Sequence, residues 1–174
     1  KKEIMIVGAG IRTGLNIRMD NPASLGGDLV VDAVAGLQEY KPPMLIFDMG
    51  TATTVSVIDE NRCYQGGMIY PGVGVSLDSL TARAAQLSGI SLEAPEHLIG
   101  KNTIECMKSG IIYSSAAAID GIIDRMKEEL GSDVTVIATG GLAKKIVPHC
   151  RREVILDDDL LLKGLSILYL KNKK

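Results

Sequence analysis

Three runs of β-forming residues follow one another with very short connections, and this spacing limits the possible folds more than any other feature of the sequence. The runs cover Met44–Phe47, Thr53–Ile58 and Arg62–Tyr70. Parallel strands need a crossover of about a dozen or more residues, whereas antiparallel strands can be joined by a few. The sequence therefore predicts an antiparallel three-stranded unit.

The segments on either side of this unit predict helices and further strands. Helical periodicity runs through Leu25–Tyr40 and ends before Pro42, because a residue that precedes proline is disfavoured in the helical conformation. The later segments alternate between strand and helix, which is typical of parallel strands joined by crossover helices. The predicted helices are Val75–Leu87, Thr103–Leu130, Leu142–Val147 and Leu160–Leu170, and the predicted strands are Glu3–Gly10, Val134–Gly140 and Glu153–Asp158. We therefore expect an α/β fold, with a mixed sheet and flanking helices.

Chain length, net charge and cysteine content limit the classes of protein to which this sequence can belong. The 174 residues suffice for one domain with a buried core. The net charge of −2 gives no electrostatic reason to expect a nucleic-acid partner or an anionic membrane surface. Cys63, Cys106 and Cys150 are far apart and odd in number, which favours a reducing compartment over a zinc site. We expect a cytoplasmic protein without nucleic-acid or membrane partners.

The turn between the first two β runs carries more polar groups than a hairpin needs. Residues 48–54 read Asp-Met-Gly-Thr-Ala-Thr-Thr. Gly50 permits the close backbone approach that a phosphate-binding loop requires, and the threonines add hydroxyl groups. Asp48 would repel a phosphate unless a cation lay between them. This motif alone does not separate a phosphate loop from an ordinary tight turn.

Two further glycine-rich turns lie where a strand meets a helix. They are QGGMIYPGVG (Gln65–Gly74) and ATGGLA (Ala138–Ala143). Such turns let a ligand approach the backbone near a helix N-terminus. Each is weak by itself because turns of this kind are common. Three of them in one α/β domain predict a nucleotide-binding cleft.

The order of the motifs resembles one protein family. GAGIRTGLNI, NPASLGGD, FDMGTATT, GGMIYPG, GKNTIECMKSGIIY and ATGGLA are similar to segments of type III pantothenate kinases, in the superfamily of sugar kinases, Hsp70 and actin. The resemblance covers residue 4 to about residue 170. It implies ATP bound between two ribonuclease-H-like halves, with residues 1–41 ending the first half and 42–174 forming the second. It also implies phosphorylation of pantothenate for coenzyme A synthesis, by a homodimer with shared active sites.

The resemblance assigns roles to single residues. Asp28 matches the base that accepts the proton of the pantothenate hydroxyl. Asp48 matches the ligand of a monovalent cation, potassium or ammonium, while magnesium accompanies ATP. The implied substrate-binding positions are Met19, Gly26, Gly27, Leu29 and Thr103, the last acting across the dimer, and the implied nucleotide-binding positions are Gly50, Thr51, Gly140 and Gly141.

Simpler explanations exist for several of these residues. Asp28 lies where a helix begins, and a carboxylate there interacts favourably with the helix dipole. Thr103 fits a helix N-cap. Small residues form a stripe on the long helix, and because a helical glycine costs roughly 0.5–1 kcal/mol relative to alanine, the stripe needs a packing reason. An internal contact and self-association both fit, and we favour self-association. The stripe comprises Gly110, Ser114, Ala117, Ala118 and Gly121.

The sequence departs from the family in three places. The family's first phosphate loop, D-x-G-N-T, is not in the sequence, so either the natural protein has further residues or it is a truncated relative. Leu29 stands where the family often has an arginine that binds the pantothenate carboxylate, and Met19 replaces an aromatic residue of the pocket; Arg12 or Arg18 could compensate. The alternative function is therefore a catalytically impaired, nucleotide-binding regulatory or accessory protein. A DNA-binding regulator is a weaker third hypothesis, since we find no basic recognition helix.

Overall fold

A six-stranded sheet forms the centre of the computed structural model, which describes residues 4–8, 10–83 and 90–173. The strands lie in the order β1-β4-β3-β2-β5-β6. They are β1 (Asn16–Ile17), β2 (Met44–Met49), β3 (Ala52–Ile58), β4 (Cys63–Pro71), β5 (Thr135–Thr139) and β6 (Ile155–Leu156). The helices are α1 (Gly27–Glu39), α2 (Val73–Arg83), α3 (Thr103–Leu130), α4 (Ala143–Ile146) and α5 (Leu160–Asn172).

The sheet is mixed, as the sequence predicts. β3 pairs antiparallel with β2 and with β4, which confirms the three-stranded unit. β2 also pairs parallel with β5, which in turn pairs parallel with β6. The antiparallel unit is therefore flanked by parallel pairs on both sides, with β5 beside β2 and β1 beside β4.

Apolar residues of β2 contribute to the hydrophobic core on both faces of the sheet. Leu45 and Phe47 belong to the cluster under α2, α3 and α4. Met44 and Ile46 belong to the cluster on the opposite face, which includes Ala33 of α1. A strand that is covered on both faces is a continuous apolar run rather than an alternating one. The sheet thus lies between two helical layers, with β2 near its middle.

The predicted strand Glu3–Gly10 is wrong over its described residues. Residues 4–8 form no strand, and the side chains of Ile4 and Ile6 are 88% and 81% exposed. An apolar run becomes a buried strand only when another strand can pair with it. In the structure it is β1 that pairs with β4 at this edge of the sheet.

The remaining elements differ from the predictions mainly at their ends. α2 ends at Arg83, and residues 84–87 of the predicted helix lie outside the described part of the chain. The strand predicted at Glu153–Asp158 is reduced to β6. The proposed division after residue 41 falls between α1 and β2 and stays a prediction. No helix within the described ranges has the length and apolar character to cross a membrane.

The stripe of small residues on α3 faces away from the core. Ile112, Ile119 and Ile123 occupy the buried side of the helix. A Cβ atom added at Gly110 would meet no described atom within 4 Å. Close packing inside the described fold therefore does not explain why α3 carries this stripe.

Candidate functional site

Hydrogen bonds join the three glycine-rich turns into one structure. The second predicted turn is shorter than expected, since its residues 65–71 belong to β4. The Gly72 amide, between β4 and α2, donates to the carbonyl of Thr51 at 3.1 Å. The Leu142 amide, in the third turn, donates to the carbonyl of Met49 at 3.2 Å. Met49 is the last residue of β2, and Thr51 lies in the turn between β2 and β3. Turns that are far apart in the sequence thus meet at the carboxyl end of β2.

Two of the glycines are required by the packing of these turns. A Cβ atom at Gly72 would overlap the Thr51 carbonyl oxygen and lie 2.6 Å from that of Gly50. Gly140 has φ +93°, and a Cβ atom there would lie 2.6 Å from the Met49 nitrogen. Both positions therefore need glycine for steric reasons, and Gly140 needs it for conformational reasons as well. Gly141, by contrast, has no described atom within 4 Å of its added Cβ position, which leaves its backbone open to a ligand.

Asp48 and Thr139 are register partners near the ends of the parallel strands β2 and β5. Ligands of open α/β sheets bind at the carboxyl ends of the strands, where the strand order or direction changes. A cavity of about 330 Å³ lies at this position. Its lining includes Asp32, Asp48, Gly140, Gly141, Lys144 and Asp158.

Asp32 is a site residue that the sequence analysis missed. Its side chain is 1% exposed, and its Oδ1 atom has no hydrogen-bond partner among the described residues. Burial raises the pKa of Asp32 to about 7, with further contributions from the negative charges of Asp48, Asp28 and Asp157. The available signal was its position: it lies four residues after Asp28, one helical turn along α1, within an apolar segment.

The three carboxylates Asp28, Asp32 and Asp48 interact through their charges. Burial raises the pKa of Asp48, and the charge of Asp28 raises it further. A cleft with this much negative charge repels phosphate unless a cation is bound. Within the described ranges, no three Asp, Glu, His or Cys side chains form a group that could hold a metal ion. A cation here would therefore take further ligands from the nucleotide or from water.

The Asp28 carboxylate is exposed in the first turn of α1. Its Oδ1 atom accepts a hydrogen bond of 2.9 Å from the Leu29 amide. A Cβ atom at Gly26 would lie 2.5 Å from the same oxygen, and one at Gly27 would lie 3.4 Å from the carbonyl oxygen of Val7. Gly26 thus leaves space for the Asp28 carboxylate, and Gly27 lies against the backbone of Val7.

The other predicted substrate residues are divided between two places. Leu29 and Met19 are half-buried, and Met19 packs against the core cluster that contains Ala33. Thr103 is exposed at the start of α3 and is not part of the lining of the cavity beside Asp48. The structure therefore brings Asp48, Gly140 and Gly141 together and leaves Thr103 apart from them.

The N-cap explanation of Thr103 is wrong. The N-cap of α3 is Asn102, whose side-chain oxygen accepts a hydrogen bond of 2.9 Å from the Glu105 amide. An asparagine is as good an N-cap as serine or aspartate, so it takes this role one residue earlier. A substrate-binding role across a dimer stays a prediction for Thr103.

Comparison with known proteins identifies relatives and the fold. Residues 1–125 match the model of the type III pantothenate kinase family. A type III pantothenate kinase from an Exiguobacterium species is 48% identical over 170 residues, which cover 98% of this chain and 66% of that protein. The chain spans slightly less than two thirds of the length of the curated relatives that it matches.

Two solved structures resemble the fold at low sequence identity. One is a conserved Campylobacter jejuni protein assigned to the Baf family of transcriptional activators, with a TM-score of 0.56 and 20% identity over 92% of this chain and 70% of that one. The other is an activator of 2-hydroxyisocaproyl-CoA dehydratase from Clostridium difficile with bound ADPNP, with a TM-score of 0.52 and 17% identity over 82% of this chain and 65% of that one. These likenesses show an actin-like ATPase fold.

Proposed function

Because this chain belongs to the type III pantothenate kinase family, we propose that the protein transfers the γ-phosphoryl group of ATP to the primary hydroxyl of pantothenate, the first step of coenzyme A synthesis. The observation that carries this proposal is the meeting of three glycine-rich turns at Met49 and Thr51, next to Asp48, with Asp28 near enough to raise the pKa of Asp48. Positioning and electrostatic stabilisation supply most of the catalysis in phosphoryl transfer, and both depend on such turns.

In this proposal the nucleotide lies along Gly50, Thr51, Gly140 and Gly141. The open space above Gly141 supports a close approach of the nucleotide to the backbone. The activator with the same fold has ADPNP bound, which supports a nucleotide in the corresponding cleft here. Residues 1–41 and 42–174 would then belong to the two ribonuclease-H-like halves on either side of ATP.

Asp28 acts as the base in the proposed reaction. The Leu29 amide holds its Oδ1 atom, and the other carboxylate oxygen accepts the hydroxyl proton. As the pantothenate oxygen bonds to the γ-phosphorus, the bond between that phosphorus and the β–γ bridging oxygen breaks, and ADP leaves. Met19, Gly26, Gly27 and Leu29 would surround the acceptor.

Cations would offset the negative charge of the cleft. Members of a kinase family use ATP with a divalent metal, and magnesium would accompany the phosphates here. The resemblance adds a monovalent cation, potassium or ammonium, at Asp48. The unfavourable ionisation of Asp48, which follows from its burial and from Asp28, supports a bound positive charge beside it.

The proposal includes a cytoplasmic homodimer. The outward-facing stripe on α3 gives a second copy of the chain a surface for close helix packing. Thr103, at the start of the same helix, would then reach the partner's pantothenate site. Cys63, Cys106 and Cys150 are free thiols, which suits a reducing compartment.

The test is ADP release that depends on both ATP and pantothenate, measured on the complete gene product and on its Asp28→Asn variant. Loss of a general base typically lowers turnover about 10²–10⁴-fold. Asp28 is exposed, so the variant should unfold at nearly the parent's temperature and bind ATP as the parent does. Full activity of Asp28→Asn would remove this residue from the mechanism. A parent that binds ATP without pantothenate-dependent turnover would instead support the regulatory alternative.

A further inference from the structure

The proposed mechanism leaves one basic side chain of the cleft unused. Lys144 lies in α4, three residues after Gly141, and lines the cavity beside Asp48. Among the described residues that line this cavity, no other is basic, and the remaining charged side chains are carboxylates. Carboxylates repel the phosphate groups of a nucleotide. Lys144 is therefore the side chain of the lining that is suited to attract them.

The present partner of Lys144 is an anion that it can exchange easily. Its Nζ atom lies 2.6 Å from Oδ2 of Asp158, another residue of the lining, and the two side chains are 67% and 37% exposed. An exposed ion pair contributes little to stability, because water solvates both charges. The side chain of lysine is also long and flexible. Lys144 can therefore leave Asp158 for another anion without harm to the fold.

The neighbouring Lys145 does not share this position. It is exposed on α4 and is not part of the lining of the cavity. Successive residues of a helix point in directions about 100° apart, so two adjacent lysines face different surroundings. Lys145 thus provides the same charge at almost the same place in the chain, but outside the cavity.

We propose that Lys144 is a nucleotide-binding residue, whose side-chain ammonium group leaves Asp158 and donates hydrogen bonds to a phosphate group of the bound nucleotide. The inference rests on the proposed function, which places the nucleotide along Gly140 and Gly141. The ammonium group of lysine is a compact positive charge with several donors, and it binds phosphate as a point charge. Without nucleotide, Asp158 holds Lys144 at the wall of the cavity.

The test compares ADP and adenosine binding to the complete gene product by isothermal titration calorimetry at constant magnesium. Lys144→Met removes the charge and keeps an unbranched side chain, and Lys145→Met is the matched control. We expect Lys144→Met to weaken ADP binding about 10–100-fold, the effect of a lost charged hydrogen bond. Adenosine, which has no phosphate, should bind the parent and Lys144→Met within about threefold of each other, and so should ADP the parent and Lys145→Met.

A second variant tests the exchange of partners. Asp158→Asn frees Lys144 from its ion pair, so it should strengthen ADP binding, by up to about fivefold. Removal of a negative charge could give the same gain without Lys144. The gain should therefore be smaller when Asp158→Asn is combined with Lys144→Met, and a double-mutant cycle measures this difference.

Four results would overturn the inference. They are equal ADP affinity in the parent and Lys144→Met, an equal loss in Lys145→Met, an equal loss for adenosine, and an equal gain from Asp158→Asn with and without Lys144. Any of these, with pantothenate-dependent turnover intact in the parent, rejects the role of Lys144 and leaves the proposed function standing. If the parent binds no ADP at all, the proposed function and this inference both fail.

Discussion

A side-chain carbon at Gly140 would lie 2.6 Å from Oδ1 of Asp48. The backbone after β5 thus lies directly against the carboxylate near the end of β2, and only a residue without a side chain fits at this position. The position of the proposed cation ligand therefore depends on a glycine that lies about ninety residues away in the sequence.

Gly140→Ala should destabilise the protein strongly. The substitution adds a steric overlap with Asp48 and Met49 to a backbone with φ +93°, and a left-handed conformation costs a non-glycine residue about 1–3 kcal/mol. We expect a loss of more than about 2 kcal/mol in urea unfolding. The matched control is Gly141→Ala, which has free space and should stay within about 0.5 kcal/mol of the parent while weakening ADP binding. Equal stability of the two variants would contradict the steric argument.

Variants of the neighbouring residues Asn102 and Thr103 should have different effects, the first on stability and the second on substrate binding. Asn102→Ala removes the N-cap of α3 and should cost about 1 kcal/mol of stability. Thr103→Val removes an exposed hydroxyl from a neighbouring residue, so its stability should change by less than about 0.5 kcal/mol, while the KM for pantothenate should rise. Thermal unfolding and steady-state kinetics check the pair. An unchanged KM in Thr103→Val would exclude the substrate contact.

Gly110→Leu should disrupt self-association without harming the fold. Gly110 has free space around it in the described chain, and replacing a helical glycine should stabilise α3 by about 0.5–1 kcal/mol. At a close helix–helix contact, however, the leucine side chain would hold the two backbones apart. Analytical ultracentrifugation should then show monomers. Gly110→Ala is the control, because it brings a similar gain in helix propensity but a smaller side chain at the helix–helix contact. A dimeric Gly110→Leu protein, or a monomeric parent, would show that the interface lies elsewhere or does not exist.

Asp157 should make the stability of the protein sensitive to acid. Burial opposes its ionisation, but hydrogen bonds from Lys163 at 2.8 Å and Tyr40 at 2.7 Å outweigh burial and lower the pKa of Asp157 below 3.8. A lowered folded-state pKa stabilises the protein above the unfolded-state value and loses that effect as the pH falls through the folded-state value. We expect Asp157→Asn to cost about 1–3 kcal/mol between pH 5 and 8 and progressively less below about pH 4. Urea unfolding across this range measures the difference, and a gap that stays constant down to pH 2 would refute the assignment.

The sequence predicted the sheet well because its signals were local. Short connections required β2, β3 and β4 to be antiparallel, and Pro42 marked the end of α1. The apolar run at residues 4–8 had a similar local signal but failed, because strand formation also requires a pairing partner. Composition alone does not provide that information.

The site was predicted less completely because it depends on contacts between distant segments. The glycine-rich turns could be found in the sequence, but their hydrogen bonds to one another could not. Asp32 was overlooked among the apolar residues of α1, since an isolated acidic residue in a helix is normally solvent-exposed. Asp32 is buried by strands and helices that are distant in the sequence, so its burial could not be predicted from α1 alone. The capping role of Asn102 rather than Thr103 required the backbone dihedral angles at the helix start.

The pairing of β2 with β5 has a consequence for the order of folding. Met44 pairs with Thr135 and Asp48 with Thr139, so this ladder closes a loop of about ninety residues, whereas β2, β3 and β4 pair through short hairpins. Loop closure costs entropy that grows with loop length, and contacts between distant segments form slowly. We therefore expect the hairpins to form early and the cleft to assemble late. Amide hydrogen exchange during refolding should protect β3 before β5, so a partly folded chain would hold its central sheet before it could bind a nucleotide.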